Sequence, residues 1–344
     1  MTAAGIPDER AKKFRLTVLN PGGRDRAQDF SEGAGSPNDG GHAPVNFHGY
    51  AACTHGVFHR ETKAAIAEGL PVLLLLRGDF RATREALAQL KKASLTTVVS
   101  FKETGLHQIA RQLSDPTRAA LFREIVAAAD GVLAATPEAE SFGDGEFIPT
   151  PYPLTDERWD FSRPPNERRG IFIGTREWEV PSRNHFAALF LASELGEPVT
   201  VFDRNPRISR KFWSSLGGDE NRLHVLSERL PYRDYLAEVA CHKLVLQADK
   251  SAVPGQVAGD ALLCRIPCVG GDGAIDRLGF PRTCGFGRSL GELRELAKRL
   301  LQDARFHAEI VAESQAEAKK RVSFEAVALQ LAAFFQSRAS SASK

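Results

Sequence analysis

Apolar and polar positions alternate along the chain so that predicted strands and predicted helices follow each other in turn. The run at 72–76 is apolar at every position, which is typical of a central strand in a parallel sheet covered on both faces. The segment before it, 60–69, has helical composition and ends at Gly69, a usual helix stop. Strands that alternate with helices through short turns predict a parallel sheet with helices on both faces.

The alternation is interrupted once, by a Pro-rich and charged stretch that is typical of a linker. We therefore expect an α/β protein made of two Rossmann-like domains with a cleft between them: an N-terminal domain at 1–155, a linker at 156–169 and a C-terminal domain at 170–322. Predicted strands lie at 14–20, 45–50, 72–76, 96–101, 131–135, 146–148, 170–174, 198–202, 223–226, 243–247 and 267–270, and predicted helices at 60–69, 82–93, 106–113, 116–129, 185–195, 232–241, 255–263, 290–305, 306–321 and 324–337.

Composition and charge exclude several classes of protein. The 344 residues are 42% hydrophobic and 26% charged, as in an ordinary globular chain. Lys and Arg number 45 against 43 Asp and Glu, so overall charge gives no reason to expect a nucleic-acid partner, although local basic patches are still allowed. The longest apolar run, 70–76, is too short to span a bilayer, and residues 1–10 contain no apolar signal core. Five scattered cysteines predict neither a disulfide framework nor a zinc site, and we expect a cytoplasmic protein without a transmembrane segment.

Three loops at the ends of predicted strands are candidates for ligand binding, because ligands bind beyond the carboxyl ends of the strands in open parallel sheets. The first loop contains Gly22 and Gly23, which allow a close approach of the backbone to a ligand. The second contains Arg176 and Arg183, whose guanidinium groups suit a diphosphate. The third, 248–271, leads into a helix near Gly255. Neither the dinucleotide fingerprint GxGxxG nor a P-loop is present.

The third loop resembles the nucleotide-sugar motif of GT-B glycosyltransferases of the retaining "glycosyl transferases group 1" type. The stretch 259–269 follows the family's outline of a helix that leads into a Gly-x-Pro-Val-Val strand, and Asp260 stands where the family has the second Glu of its E-x7-E signature. The first Glu of that signature falls on Ala252. The segments 170–176, 128–136 and 147–153 resemble further family segments in the same order.

The resemblance implies a hexosyltransferase that moves a sugar, with retention, from a nucleotide-diphosphate sugar to an unidentified acceptor, which is a glycan, a lipid or a small molecule. It places the acceptor in the N-terminal domain and the donor in the C-terminal domain, with a C-terminal helix at 323–344 packed on the N-terminal domain and followed by a disordered tail. No cofactor or metal is implied besides the donor. The donor would be bound by Gly22, Gly23, Arg176, Arg183, Gly255 and Asp260.

Catalytic residues are harder to assign from the sequence. The family often has a His after the strand that ends at Phe101, but this chain has Lys102 there, so Glu103 and His107 are the candidate catalytic substitutes. A second polar group, formed by Asn46, His48 and Tyr50, fits either acceptor recognition or a polar surface loop, and lacks the spacing of a metal site. A GT-B nucleotide-sugar epimerase and a catalytically silent nucleotide-sugar-binding module are the alternative functions.

Overall fold

In the computed structural model of the protein, the residues whose structure is described are 14–342. The predictions made for residues 1–10 and for the last residues of the tail, 343–344, lie outside the described residues. The chain forms two compact units, and the divisions fall between Pro153 and Leu154 and between Val322 and Ser323. The last helix therefore belongs to the same unit as the N-terminal half. Among the described residues, no helix combines the length and the apolar character that crossing a bilayer requires.

The first unit contains a seven-stranded sheet with the order β2-β3-β1-β4-β5-β6-β7. All neighbouring strands are parallel except β2 and β3. The strands are β1 (Thr17–Leu19), β2 (Gln28–Asp29), β3 (Val57–His59), β4 (Val72–Leu76), β5 (Thr97–Phe101), β6 (Gly131–Ala134) and β7 (Glu146–Phe147). The helices of this unit are α1 (Asn46–Cys53), α2 (Thr62–Glu68), α3 (Arg81–Lys92), α4 (Leu106–Leu113), α5 (Pro116–Ala128) and α13 (Phe324–Ala342).

Strand β4 is buried on both faces, as its uniform apolar sequence predicts. Leu73 and Leu75 belong to the core that α1 and α13 cover. Leu74 and Leu76 point to the opposite face, into the core that contains residues of α3, α4 and α5. Because successive side chains of a strand alternate between faces, a strand without polar positions requires a helical layer on each side of the sheet.

The predicted strand at 45–50 is wrong, because this segment forms helix α1. Phe47 and Tyr50 are buried, as is every residue of α1 from Phe47 to Cys53. A segment that is buried all round shows no polar face, so its sequence does not distinguish a short helix from a strand. Strand β3, which follows α1, is missing from the predictions for a different reason, because its three residues are too few to show a pattern. The last helix runs to Ala342, beyond its predicted end at Ser337.

The second unit contains a five-stranded, wholly parallel sheet with the order β10-β9-β8-β11-β12. Its strands are β8 (Ile171–Ile173), β9 (Val199–Phe202), β10 (Leu223–Leu226), β11 (Leu244–Leu246) and β12 (Cys268–Val269). Its helices are α6 (His185–Glu194), α7 (Pro206–Ser215), α8 (Tyr232–Val239), α9 (Gln256–Leu263), α10 (Ala274–Gly279), α11 (Leu290–Gln302) and α12 (Ala304–Arg321). The sequence patterns predict all five strands, but they do not predict α7 and α10.

Candidate functional site

Three arginines follow the carboxyl ends of three adjacent strands in the second unit. In the sheet register, Ile173 of β8 lies beside Val201 of β9, which in turn lies beside Val225 of β10. Arg204 lies two residues after the end of β9, and Arg176 and Arg229 each lie three residues after the ends of β8 and β10. Because neighbouring strands are about 5 Å apart, the topology gathers the three guanidinium groups at one edge of the sheet.

The charges of these arginines act on one another. Burial lowers the pKa of Arg176, and the charges of Arg204 and Arg229 lower it further. The Arg176 guanidinium lies over the Phe202 ring, with 5.4 Å between its central carbon and the ring centroid. The charge of Glu177 opposes this lowering of the pKa in part, but within residues 14–342 no ion pair joins any of the three arginines to a carboxylate. A group of cations that form no ion pairs, at the carboxyl edge of a parallel sheet, is a candidate anion site.

The surroundings of Arg183 differ from those of Arg176, although the sequence analysis predicts that both arginines bind the diphosphate. The Arg183 guanidinium donates to the carboxylates of Glu177 and Asp249, each at 2.5 Å, and these charges raise its pKa. The Arg183 side chain is only 14% exposed. Its donors are therefore used to tie the loop after β8 to the loop after β11. This geometry does not favour Arg183 as a phosphate ligand.

A pocket of about 200 Å³, partly open to solvent, lies at the carboxyl ends of β8 and β11. Gly174, Asp249 and His185 are among the residues that line it. The His185 Nε2 atom lies 2.8 Å from the hydroxyl of Thr175, whereas its Nδ1 atom is buried without a partner. Burial lowers the pKa of His185, so the ring is neutral. Sequence reasoning missed this histidine, whose only sequence signal is its position at the start of a helix that follows a strand.

Gly255 begins helix α9 in a conformation that favours glycine. Its φ is +89°, and a Cβ atom at this position would lie 2.8 Å from a carboxylate oxygen of Asp276. No side chain caps the start of α9. Helix N-termini of this kind hold anions through their amide groups, so Gly255 stays a predicted ligand-binding residue.

Asp260 is placed in the interior of the second unit. It is 1% exposed, and its carboxylate accepts a hydrogen bond of 2.5 Å from the Tyr232 hydroxyl. Burial raises the pKa of Asp260 to about 7, an effect that hydrogen bonds from Tyr232 and Tyr235 oppose. Tyr235 also acts on the pKa of Arg176, so Arg176 and Asp260 share a neighbour. Because the carboxyl group is covered, the geometry does not favour the predicted contact with a ribose.

The position that lacks the first glutamate of the family signature is occupied by Ala252. Its φ is +46°, and its amide donates to a carboxylate oxygen of Asp272 at 3.1 Å. Burial raises the pKa of Asp272, which is half-buried. A carboxylate from the loop after β12 therefore contacts the backbone at the position where the signature has its first glutamate.

The glycines predicted from the first loop lie after β1 in the first unit. Gly22 has a φ of +70°, and its carbonyl accepts from Arg77 at 3.4 Å. A Cβ atom on Gly23 would lie 2.3 Å from the side-chain amide nitrogen of Asn20, so the loop has no room for a side chain there. The structure thus provides a packing reason for Gly23 that does not depend on a ligand.

The candidate catalytic residues Glu103 and His107 follow β5. The Glu103 carboxylate accepts from the side chain of Gln112 at 2.6 Å, and His107 is exposed on the first turn of α4. No described contact joins the two side chains. Lys102, by contrast, has its amine 3.9 Å from the carboxylate of Asp25 and 5.3 Å from the centroid of the Phe47 ring. Both catalytic assignments stay predictions.

The polar group at 46–50 has a mainly structural environment. The Tyr50 hydroxyl donates to the carbonyl of Ile148 at 2.7 Å and is wholly buried. The His48 ring stacks on Phe58 with 3.9 Å between centroids, and burial lowers the pKa of His48 to about 3. Neither the expected acceptor-binding role nor a surface-loop role fits two buried aromatic side chains.

Comparison with known proteins gives matches only at the level of structure. No protein-family model matches the sequence, and no curated protein matches it significantly. The chain is similar to Anabaena HepE in complex with UDP, with a TM-score of 0.62, 14% identity and coverage of 94% of this chain and 100% of HepE. It is similar to OtsA with a TM-score of 0.58 and 10% identity over 94% of this chain and 99% of OtsA.

A third match covers less of the compared protein. A variant of S. aureus TarM, in complex with fondaparinux, alpha-GlcNAc-glycerol and UDP, has a TM-score of 0.57 and 11% identity over 77% of this chain and 55% of TarM. At these identities the matches establish architecture. The matches to HepE and OtsA confirm the predicted fold class, because each extends over 94% of this chain. The protein has the GT-B fold.

Proposed function

We propose that the protein is a glycosyltransferase that binds a nucleotide-diphosphate sugar at the carboxyl edge of the second unit's sheet and transfers the sugar to an acceptor with retention. The observation behind this proposal is the group formed by Arg176, Arg204 and Arg229, which form no ion pair with a carboxylate in the described chain. A diphosphate supplies the negative charge that this group lacks. The GT-B fold supports the same conclusion, because HepE, which shares it, has been solved with UDP and with UDP-glucose.

The reaction requires that negative charge on the leaving diphosphate be stabilised. The bond between the anomeric carbon and the diphosphate oxygen breaks, and its electron pair stays on that oxygen. The acceptor oxygen forms the new bond and gives its proton to the leaving phosphate. Arginines that are already positioned stabilise such a charge strongly, and loss of one comparable donor costs on the order of 10²–10³ in kcat. We assign this role to Arg176, with Arg204 and Arg229 beside it, in place of Arg183.

The experiment that tests nucleotide binding is calorimetry, with thermal unfolding in parallel, using UDP, GDP and ADP. UDP is the first choice, because it is the nucleotide bound by HepE. A ligand that binds only the folded state at 100 times its Kd stabilises it by about 2.7 kcal/mol. If none of the three nucleotides binds, the proposed function is wrong. Binding without hydrolysis or transfer of UDP-glucose would instead indicate a binding module.

The Arg176→Ala variant tests the assignment of the site. We expect it to weaken binding of UDP by at least tenfold and to leave the affinity for uridine nearly unchanged, because only UDP carries the diphosphate. Arg305→Ala is the matched control, since Arg305 is an exposed arginine on α12. Equal affinity of wild type and Arg176→Ala for UDP would rule out this site.

We further propose that the reaction needs no cofactor or metal ion and that the protein acts in the cytoplasm. The arginines provide positive charge at the place where some transferases use a metal ion, and the sequence has no DxD pair. Transfer activity is therefore expected to persist in EDTA. Loss of activity in EDTA with recovery on addition of Mg²⁺ would contradict this part of the proposal.

A further inference from the structure

Helices α6 and α7 of the second unit expose an unusual amount of apolar side chain. Phe186 is 42% exposed, Phe190 is 45% exposed and Ile208 is 39% exposed. Phe186 and Phe190 are one helical turn apart and therefore share a face of α6, and α6 packs against α7. We call the surface formed by Phe186, Phe190, Ile208, Arg207 and Lys211 the α6/α7 surface.

The Phe186 side chain is held in place by its neighbours. The Phe186 ring meets the Phe212 ring edge-on, with 4.8 Å between centroids, and the Trp178 ring at 5.4 Å. Phe212 and Trp178 are themselves half-buried against the core of the unit. The exposed Phe186 ring therefore packs on an aromatic base, and both exposed phenylalanines belong to a helix and not to a loop.

The surface is also basic. Helix α7 contains Arg207, Arg210 and Lys211 and no acidic residue, and all three cations are exposed. Within the described chain, none of them has an ion-pair partner. The acidic residue at the end of α6, Glu194, is paired with Arg294 at 3.3 Å. A protein whose formal net charge is only +2 thus concentrates unpaired positive charge beside its exposed phenylalanines.

Exposed aromatic and aliphatic side chains next to unpaired cations match the chemistry of an anionic lipid surface. Phe and Ile enter the boundary between headgroups and acyl chains, while Arg and Lys contact the anionic headgroups. Duplex nucleic acid or an acidic peptide without apolar side chains would neutralise the cations, but it would leave Ile208 and the two phenylalanines in water. We propose that the α6/α7 surface docks the protein on membranes that contain anionic lipids. This inference does not depend on the proposed transferase activity.

The test is co-sedimentation of the full-length protein with vesicles of phosphatidylcholine alone and with vesicles that also contain phosphatidylglycerol. We expect binding to the anionic vesicles only, and weaker binding as the salt concentration rises. The double variant Arg207→Gln, Lys211→Gln should lower the partition coefficient by about thirtyfold, since each basic residue near an anionic surface contributes roughly a factor of five. Equal sedimentation with both kinds of vesicle would overturn the proposal.

Matched variants separate this surface from nonspecific attraction. Lys92→Gln with Lys298→Gln removes two exposed cations elsewhere and should leave binding unchanged. Phe190→Ser should weaken binding severalfold, whereas Phe286→Ser, which removes a phenylalanine 59% exposed on another part of the unit, should not. If the control variants reduce binding as much as the test variants, the surface is not the docking site.

A gain-of-signal variant covers the case in which Phe190→Ser folds poorly. Phe190→Trp keeps an aromatic ring at the surface and should bind anionic vesicles as wild type does. Its additional tryptophan fluorescence should shift to shorter wavelength on binding, because the ring leaves water. Binding of Phe190→Trp without such a shift would overturn the proposal. Wild-type protein that binds duplex DNA in the absence of lipid as strongly as it binds anionic vesicles would also overturn it, because the cations alone would then account for the binding.

Discussion

At the scale of single residues, environment separates side chains that the sequence treats alike. Arg176 and Arg183 lie in one loop and have the same chemistry. Arg183 is enclosed by the carboxylates of Glu177 and Asp249, whereas Arg176 lies over Phe202 and near two further arginines. A buried cation that neutralises a buried carboxylate holds the structure together, and a cation without a counter-ion is free for a ligand.

This difference predicts opposite effects on stability. Arg183→Ala leaves Asp249, which is 5% exposed, without its partner and should lower the free energy of unfolding by about 3–5 kcal/mol. Arg176→Ala should change it by less than about 0.5 kcal/mol. Urea denaturation followed by circular dichroism measures both. Equal stability of the two variants would contradict the structural role of Arg183.

Asp260 predicts a pH dependence of stability. Its pKa is raised in the folded state to about 7, so between the ordinary carboxyl pKa and pH 7 the folded state binds more protons than the unfolded state. The stabilisation linked to protonation of Asp260 is therefore fully present below the pKa that this carboxyl has in the unfolded chain. The free energy of unfolding falls as the pH rises from that value toward 7, by on the order of 4 kcal/mol. The Asp260→Asn variant should lose less stability than wild type between pH 5 and pH 8 in urea titrations. The same loss in both proteins would mean that Asp260 does not titrate in this range.

At the scale of elements, boundaries depend on local capping chemistry, and element type depends on burial. Helix α11 begins at a capping box, in which the Ser289 hydroxyl accepts from the amide of Glu292 and the Glu292 carboxylate accepts from the amide of Ser289. Both bonds are encoded in a four-residue pattern and fix where the helix starts. Helix α1 has no side-chain cap at its start. Because α1 is buried on all sides, its sequence shows no polar face and resembles that of a strand.

The capping box gives a prediction at this scale. Ser289→Ala removes the acceptor for the Glu292 amide and should cost about 1 kcal/mol of stability. Ser289→Thr keeps a hydroxyl at the cap and should recover most of that loss. The two variants are compared by urea denaturation. A stability of Ser289→Ala equal to that of wild type would show that the box does not stabilise α11.

At the scale of the whole molecule, the chain leaves its first unit, forms the second and returns. Helix α13 is separated in sequence from the other elements of the first unit by the whole second unit, yet it packs on α1. Val327, Leu331 and Phe335 of α13 are buried in the same core as Leu73 and Leu75 of β4. The first unit is therefore complete only when the last helix of the chain has formed.

The return of α13 predicts which of its residues matter for stability. Phe335→Ala should destabilise the protein by about 3–5 kcal/mol, because Phe335 is 2% exposed in the core of the first unit. Leu329→Ala on the same helix is the control and should cost less than about 0.5 kcal/mol, since Leu329 is 43% exposed. Equal losses in urea denaturation would mean that α13 does not bury the face that the structure assigns to it.

The sequence by itself determined the α/β alternation and most of the strands that position the site. Buried parallel strands such as β4 are uniformly apolar, and helices with distinct polar faces show their period, so both can be recognised locally. It also indicated the loops after β8 and β11, because ligand-binding loops follow strands in such sheets and contain glycines and arginines.

Tertiary structure alone decided which of those residues are available to a ligand. Arg204 and Arg229 belong to loops distant in sequence from Arg176, and only the strand order β10-β9-β8 brings them together. Asp249, the buried partner of Arg183, and Tyr232, which covers Asp260, likewise come from segments distant in sequence. Side-chain identity specifies which interactions a residue can make, but counter-ions and solvent exposure are set by non-local packing, and they determine whether a charge binds a ligand or its own protein.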